Sequence, residues 1–416
     1  MGAKAITMLA AISVAVMSLA TAGHARAQAD LFSRDTLSGV IDLRLGAADG
    51  ETAWIDGGLG KARFGDGGKL ALGEASIVWN PRFSRRLGAV VIAQGQQGQD
   101  RTVDFGEAYL TYRGDLESAV RVSGRAGLMY PPISLEHDGL EWSVPDTITP
   151  SAINSWVAEE TKVVALEGTA RGVVGGQHLS VTLGVFTHGD TAGTLLSLRG
   201  WALHDIKSSA TGTFPLPPLS PFMLYKQRAE TTSLLELDGR AGVYGRLEWR
   251  PSSRLAIDAF AYDNNGDRVS VSDEVEWSWE TRFANLGVRF DLDGDTHFRA
   301  QAMQGETLMG FANANGVWID VGFQSVYGSV TRAVGPGSVT LRLDQFSTTD
   351  RTNKAVDNNA EHGWSGLAAY RWDLRTDLHL VFEAMHIFSD RPERVRLGET
   401  PRQDQTVVQT ALRYLF

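Results

Sequence analysis

Apolar and polar residues alternate with period two along most of the chain. In the segment 37–46, Leu43 and Leu45 fall on one face, while Asp42 and Arg44 fall on the other. Segments of about ten residues with this pattern are typical of β-strands. Their second face carries too much charge for the core of a sandwich. The pattern instead predicts a barrel with lipid outside and water inside.

Sixteen segments follow this pattern, with ends uncertain by about two to four residues. They are 37–46, 70–80, 87–96, 103–113, 119–129, 161–171, 178–188, 239–250, 254–263, 281–291, 295–305, 317–332, 337–348, 364–372, 376–389 and 404–416. Short connections such as 251–253 alternate with long ones such as 130–160 and 189–238. Short periplasmic turns and long outer loops produce this alternation. We therefore predict an all-β fold, a transmembrane antiparallel up-and-down β-barrel of about 16 strands with long extracellular loops.

The N-terminal segment predicts export. Lys4 precedes an uncharged stretch over 5–23, which is followed by Ala25-Arg26-Ala27. This order is typical of a secretory signal with an Ala-x-Ala cleavage site. We predict that 1–27 is a cleaved signal peptide and that 28–416 is a single barrel domain. An uncleaved membrane anchor is the alternative.

Composition and motifs exclude several chemistries. The chain has 416 residues, no cysteine and a net charge of -10. It therefore has no disulfide, no thiolate metal site and no cysteine nucleophile, and the acidic balance argues against nucleic-acid binding. The run 291–295 resembles the start of a calcium loop, but Gly294 is in the fourth position rather than the sixth. We predict no cofactor, no metal site and no catalytic site.

The polar faces of the strands predict the lining of the barrel, because the apolar faces should meet lipid. The predicted inward arginines are Arg44, Arg121, Arg125, Arg171, Arg246, Arg250, Arg289, Arg299, Arg342, Arg371 and Arg413. The predicted inward acids are Asp42, Glu74, Glu107, Glu167, Glu248, Asp258, Asp320, Asp344 and Glu383. Two roles remain open for this mixed wall. The charges either neutralise one another across strands or act on a passing solute.

Two long loops are unusual. The loop 130–160 contains apolar residues such as Trp142 and Trp156 among acids, so we expect it to pack against the rest of the protein. If it folds into the lumen, four of its residues would narrow the pore: Glu136, His137, Asp138 and Glu141. The alternative is a loop folded across the barrel top or into a subunit contact. The loop 189–238 is long enough to plug or cap the barrel.

The last strand ends in a specific signal. Tyr414 and Phe416 share one face of this strand, and a terminal Phe resembles the assembly signature of bacterial outer-membrane barrels. Together with the export signal, the sixteen strands and the long third outer loop, it makes residues 30–416 resemble the Gram-negative outer-membrane porins. The blocks 130–139, 199–205 and 401–406 are similar to porin-like proteins of proteobacteria without an assigned substrate. The third loop lacks the short acidic motif of trimeric porins, and the loop 189–238 is longer than theirs.

The resemblance implies an outer-membrane location more firmly than it implies a cargo. It favours a channel for passive or weakly selective diffusion of small hydrophilic solutes or ions. Two alternatives are a barrel for polysaccharide or secretion-related export and an outer-membrane hydrolase. The partners it implies are outer-membrane lipid, lipopolysaccharide, the barrel-assembly machinery and, in a homotrimer, further copies of the chain.

Overall fold

The computed structural model describes residues 31–115, 117–313, 316–352 and 356–416. The predicted signal peptide, 1–27, lies outside the described residues. Within them, sixteen strands form a closed antiparallel barrel, and two short strands pair separately. The first strand closes the barrel on the last, with Val40 opposite Leu415 and Asp42 opposite Arg413. The predicted all-β barrel is therefore confirmed.

The strands are numbered in chain order. They are β1 (Leu37–Ala48), β2 (Gly67–Trp79), β3 (Leu87–Gly95), β4 (Val103–Arg113), β5 (Val120–Met129), β6 (Val163–Val174), β7 (Gln177–Thr187), β8 (Thr213–Pro215), β9 (Glu230–Thr232), β10 (Gly242–Ser252), β11 (Leu255–Asp263), β12 (Glu280–Asp291), β13 (Thr296–Asn313), β14 (Gly316–Val334), β15 (Gly337–Asp350), β16 (Glu361–Arg375), β17 (Leu378–Asp390) and β18 (Arg402–Leu415). Two α-helices, α1 (Ala152–Glu160) and α2 (Thr194–Leu198), lie in the two long loops. Short 3-10 turns occur at Trp54–Asp56, Leu140–Trp142 and Pro392–Leu397.

Each predicted strand coincides with one barrel strand. The main difference is the hairpin of β13 and β14, where pairing continues to Asn313 opposite Gly316. The sequence pattern ended the first of these strands at residue 305. We call the end of the barrel that carries the chain termini the short-turn end and the opposite end the long-loop end. In the described part of the chain, no helix combines the length and the apolarity needed to span a bilayer.

The barrel is apolar outside and polar inside over much of its wall. On β1, the outward Leu43 and Leu45 are 49% and 61% exposed, whereas the inward Asp42 and Arg44 are 3% and 1% exposed. The period-two alternation produces this separation, because successive strand residues point to opposite faces. An outward face of exposed leucines suits contact with lipid.

The two long loops fill the middle of the barrel. Every residue of α1 is buried, and Ser151 caps its N-terminus by accepting a hydrogen bond from the Asn154 backbone N–H. The ring of Trp156 lies 5.2 Å from the rings of Phe283 and Phe323, which come from the wall strands β12 and β14. Edge-to-face and tilted aromatic contacts of this kind stabilise a packed core. The interior around α1 is therefore a protein core rather than an open lumen.

Candidate functional site

The strand register places most of the predicted wall charges inside the barrel. Each of the predicted arginines, and each of the predicted acids except Asp320, lies on the inward face of its strand. The inward position was expected from the polar face of each strand. Whether these residues line a solute pathway stays a prediction.

Asp320 is the exception, and its pore-lining assignment is wrong. Its neighbours Ile319 and Val321 on β14 are fully buried in the interior, so Asp320 points outward. Its carboxylate accepts a hydrogen bond from Arg351 at 3.3 Å. The assignment failed because the inward face of this part of β14 is apolar and packs against α2 and the neighbouring loop.

Most of the inward arginines are bound to carboxylates. Arg44 and Arg413 both donate to Asp42 at 2.8 Å, and Arg125 binds Glu167 through two nitrogens at 2.7 and 2.8 Å. Six more make ion pairs in the same way: Arg246, Arg250, Arg289, Arg299, Arg342 and Arg371. Pairing across strands, between loop and wall and, for Arg250, within one strand therefore neutralises these nine residues.

Glu136 and Glu141 are buried inside the barrel and hold the loop 130–160 in place. The Glu136 carboxylate accepts from Arg342 at 3.2 Å and from the Ser151 backbone N–H at 2.9 Å. Glu141 is also buried, and its carboxylate lies 3.4 Å from Lys207 Nζ. Both glutamates therefore join the loop to other parts of the interior. Their effect on solute passage stays a prediction.

The other two predicted loop residues lie beside them. The His137 ring stacks on Trp142 at 3.9 Å, and Trp142 stacks in turn on Tyr130 at the same distance. Burial lowers the pKa of His137 well below its usual value, so this histidine is neutral near pH 7. Asp138 is partly exposed and forms an ion pair with Arg299 at 3.1 Å.

A segment of the next loop, residues 199–210, crosses the interior; we call it the central segment. Its Asp205 carboxylate accepts from Arg44 at 2.5 Å and from Arg63 at 2.9 Å. Burial alone would raise the pKa of Asp205, but the two guanidinium groups hold it well below its usual range. Lys207 donates to Glu74 of β2 at 2.8 Å. Two opposite charges, two residues apart, thus fasten the segment to the wall near β1 and β2.

The central segment is also bound to α1. Glu159 binds Arg199 through two hydrogen bonds of 2.5 and 2.8 Å, and His204 lies 2.8 Å from the same carboxylate. Burial alone would raise the pKa of Glu159, but Arg199 and His204 hold it at about 2. Because these groups are fully buried, each depends on its partner for stability in the interior.

Little space remains where these groups meet. A cavity of about 20 Å³ lies between wall residues such as Asp42 and Glu74 and loop residues such as His137 and Lys207. This volume holds about one water molecule. A solute that passes through this cavity must displace loop side chains.

Sequence reasoning did not single out several of these residues. Glu159, Arg199, Asp205 and Lys207 hold the long loops to each other and to the wall, yet only the block 199–205 was noted. A usable signal was present, because this block places charges between apolar residues within a long loop. Such a pattern is typical of a loop that is buried with its charges paired.

Three loop carboxylates come together outside this region. Oxygens of Asp190, Glu236 and Asp238 lie within 4.8 Å of one another. Each carboxylate already accepts backbone hydrogen bonds, as Asp190 does from the N–H groups of Leu237 and Asp238. Burial, together with the two neighbouring acids, raises the pKa of Asp190 to about 7.

The C-terminal residue takes part in closing the barrel. Gly39 donates to the Phe416 carbonyl at 2.9 Å, and the Phe416 N–H donates to the Gly39 carbonyl at 3.1 Å. The rings of Tyr414 and Phe416 are exposed and stack at 6.0 Å. Their predicted role as an assembly signal stays a prediction.

A closed barrel of sixteen antiparallel strands, apolar outside and charged inside, with long loops folded into it, has the fold of the Gram-negative outer-membrane porins. Similar solved structures include the outer membrane channel DcaP of Acinetobacter baumannii, with a TM-score of 0.56, 11% identity and coverage of 92% of this chain and 99% of that one. The anion-selective porin from Comamonas acidovorans is similar with a TM-score of 0.52, 12% identity and coverage of 92% and 99%. A loop-deletion mutant of OmpT, an outer membrane protein of Vibrio cholerae, is similar with a TM-score of 0.51, 8% identity and coverage of 91% and 98%. No protein-family model and no curated protein matches the sequence.

Proposed function

We propose that this protein is an outer-membrane channel for small hydrophilic solutes or ions, working by passive or weakly selective diffusion. The observation that supports this most directly is the barrel wall, whose outward leucines are exposed and most of whose inward arginines are paired with carboxylates. A lipid-facing barrel with a polar interior provides a route for polar solutes and needs no chemical step. In this proposal the short-turn end faces the periplasm, and the chain is not an enzyme.

The filled interior supports a narrow pathway. The central segment and α1 occupy the middle of the barrel, and the cavity beside Asp205 is only about 20 Å³. Selection by charge also requires a narrow passage, because in open water at ordinary salt a charge is screened within about 8 to 10 Å. We therefore propose low conductance, with larger steps when the central segment is displaced.

Planar-bilayer recordings on the folded full-length mature chain test this function. We expect small, discrete conductance steps and a non-zero reversal potential in asymmetric potassium chloride. Folding is checked first by heat-modifiable migration on a gel. If the folded protein and a variant with a loosened central segment both fail to conduct, the channel proposal is wrong.

We also propose a homotrimer in the outer membrane, assembled by the barrel-assembly machinery among lipid and lipopolysaccharide. The exposed apolar belt requires lipid or protein contact around the whole barrel. Unheated gel migration and cross-linking measure the subunit number. The mass of a single barrel, both on the unheated gel and after cross-linking, would contradict the trimer.

A further inference from the structure

Two inward arginines differ from the rest of the wall. Nine of the eleven predicted inward arginines are bound to carboxylates, but within the described residues Arg121 and Arg171 take part in no ion pair and no side-chain hydrogen bond. Both side chains are exposed. The neutralisation that explains the other nine therefore leaves these two unexplained.

The register places the two arginines directly opposite each other. Arg121, near the start of β5, pairs with Arg171, near the end of β6, at the short-turn end of the barrel. Directly opposite residues of an antiparallel pair have Cβ atoms about 4.5 to 5.5 Å apart, and like charges in this position are unfavourable. The nearby Glu167 is already bound to Arg125 and Tyr244, so it does not compensate them.

Neighbouring residues extend the positive region with hydrogen-bond donors. Arg113 of β4 lies opposite Ser123, two positions along β5 from Arg121, and it also has no ion pair within the described residues. Ser180 of β7 lies opposite Arg171 on its other side. Three guanidinium groups and a hydroxyl thus share one sector of the inner mouth.

Other turns at the same end carry acids or paired arginines. The turn between β12 and β13 carries Asp291, Asp293 and Asp295, and the whole chain has a net charge of -10. Farther round, Arg375 is paired with Asp377. Arg82, Arg85 and Arg86, in the turn between β2 and β3, also make no ion pair within the described residues, and the turn between β4 and β5 carries Asp115 and Glu117. The local feature of β5 and β6 is therefore two unpaired arginines placed directly opposite each other.

We propose that Arg121 and Arg171, with Arg113 beside them, form a binding site for an oxyanion, a carboxylate or phosphate group of a small solute, at the periplasmic mouth of the barrel. Guanidinium groups bind such anions through paired N–H donors, which combine charge with orientation. The bound anion would remove the repulsion between the two arginines. That the bound anion belongs to a transported solute rests on the proposed channel function.

Calorimetric titration of the folded full-length mature chain with inorganic phosphate tests the site. We expect saturable binding that weakens about tenfold or more in the double variant Arg121→Ala with Arg171→Ala, since about 1.4 kcal/mol of lost binding corresponds to a tenfold change. The phosphate affinity of the variant Arg121→Lys with Arg171→Lys should lie between those of the unmodified protein and the alanine double variant. Lysine keeps the positive charge but loses the paired N–H donors of the guanidinium group.

The matched control is Arg82→Ala with Arg85→Ala. It removes two exposed arginines from the turn between β2 and β3 at the same end of the barrel. We expect phosphate affinity within about twofold of the unmodified protein. An equal loss of phosphate affinity in both alanine double variants would mean that phosphate responds only to total charge, which would overturn the site. Absence of saturable phosphate binding to the unmodified protein would also overturn it.

Two further arms separate related outcomes. Phosphate titrations of the protein in nanodiscs of phosphatidylcholine, with and without phosphatidylglycerol, distinguish a free solute from a lipid headgroup. Weaker phosphate binding in the nanodiscs that contain phosphatidylglycerol would assign the site to lipid and overturn the solute proposal. Conductance is recorded in parallel. Phosphate binding that depends on Arg121 and Arg171, without conductance, would contradict the channel function but support the oxyanion site. Conductance without such binding would support the channel function and contradict the oxyanion site.

Discussion

The ion pairs of Asp205 provide the sharpest test of how the interior is closed. Asp205→Ala removes the carboxylate that joins the central segment to Arg44 and Arg63. Breaking a buried pair by removing one partner costs about 3 to 5 kcal/mol. We use about 3 kcal/mol, because Arg44 keeps Asp42 as a partner. The closed arrangement should then lose about two orders of magnitude in population relative to an open one.

Single-channel recording at fixed voltage and salt measures this change. We expect more time in a larger conductance state for Asp205→Ala and an intermediate effect for Asp205→Asn, which keeps one acceptor. The control is Asp56→Ala, because Asp56 pairs with Lys69 at an exposed site and should contribute at most about 1 kcal/mol. Folded Asp205→Ala with unchanged open time and conductance would refute the reasoning that these pairs hold the obstruction.

Four other predictions concern separate parts of the molecule. Deleting Glu136 to Glu141 should raise conductance and move the reversal potential toward anions, because carboxylates leave the interior; an unchanged reversal potential would contradict this. Trp156→Ala should lower the free energy of unfolding by about 3 to 5 kcal/mol in urea titrations, with an exposed aromatic as control. Because the pKa of Asp190 is raised, the stability that its protonated carboxyl contributes is present at low pH and is lost as pH rises toward about 7. Proteolysis of the surrounding loop should therefore be slower at low pH than above pH 7. Asp190→Asn should remove this difference. Deletion of Phe416 should reduce the heat-modifiable fraction, and normal assembly would remove its assembly role.

The barrel was predictable because its signal is local. Period-two alternation requires only neighbouring residues, and it identified each wall strand. The connection between β13 and β14 was less clear, because residues 306–313 extend the hairpin beyond the barrel pattern. Loop burial was predicted from the many apolar residues, but its partners join distant positions, as in the contact between Arg44 and Asp205. No spacing rule reveals such a pair.

The error at Asp320 shows where the sequence rule stops working. The rule assigns apolar faces to lipid, but Ile319 and Val321 are apolar because they pack against the loop that fills the interior. A barrel with a packed interior therefore has stretches of wall that are apolar on the inside. Where a long loop is predicted to fold inward, the strand face that meets it needs to be assigned from packing rather than from lipid contact.

The two kinds of contact in the interior also differ in how easily they open. Separating α1 from the wall exposes aromatic surface around Trp156, and water does not replace those contacts. Separating Asp205 and Lys207 from the wall exposes charged groups that water solvates well, so part of the cost is recovered. These charges also border the small cavity beside β1 and β2. We therefore expect a solute to pass along the β1 and β2 side of the barrel, while α1 remains packed against β14 and β15.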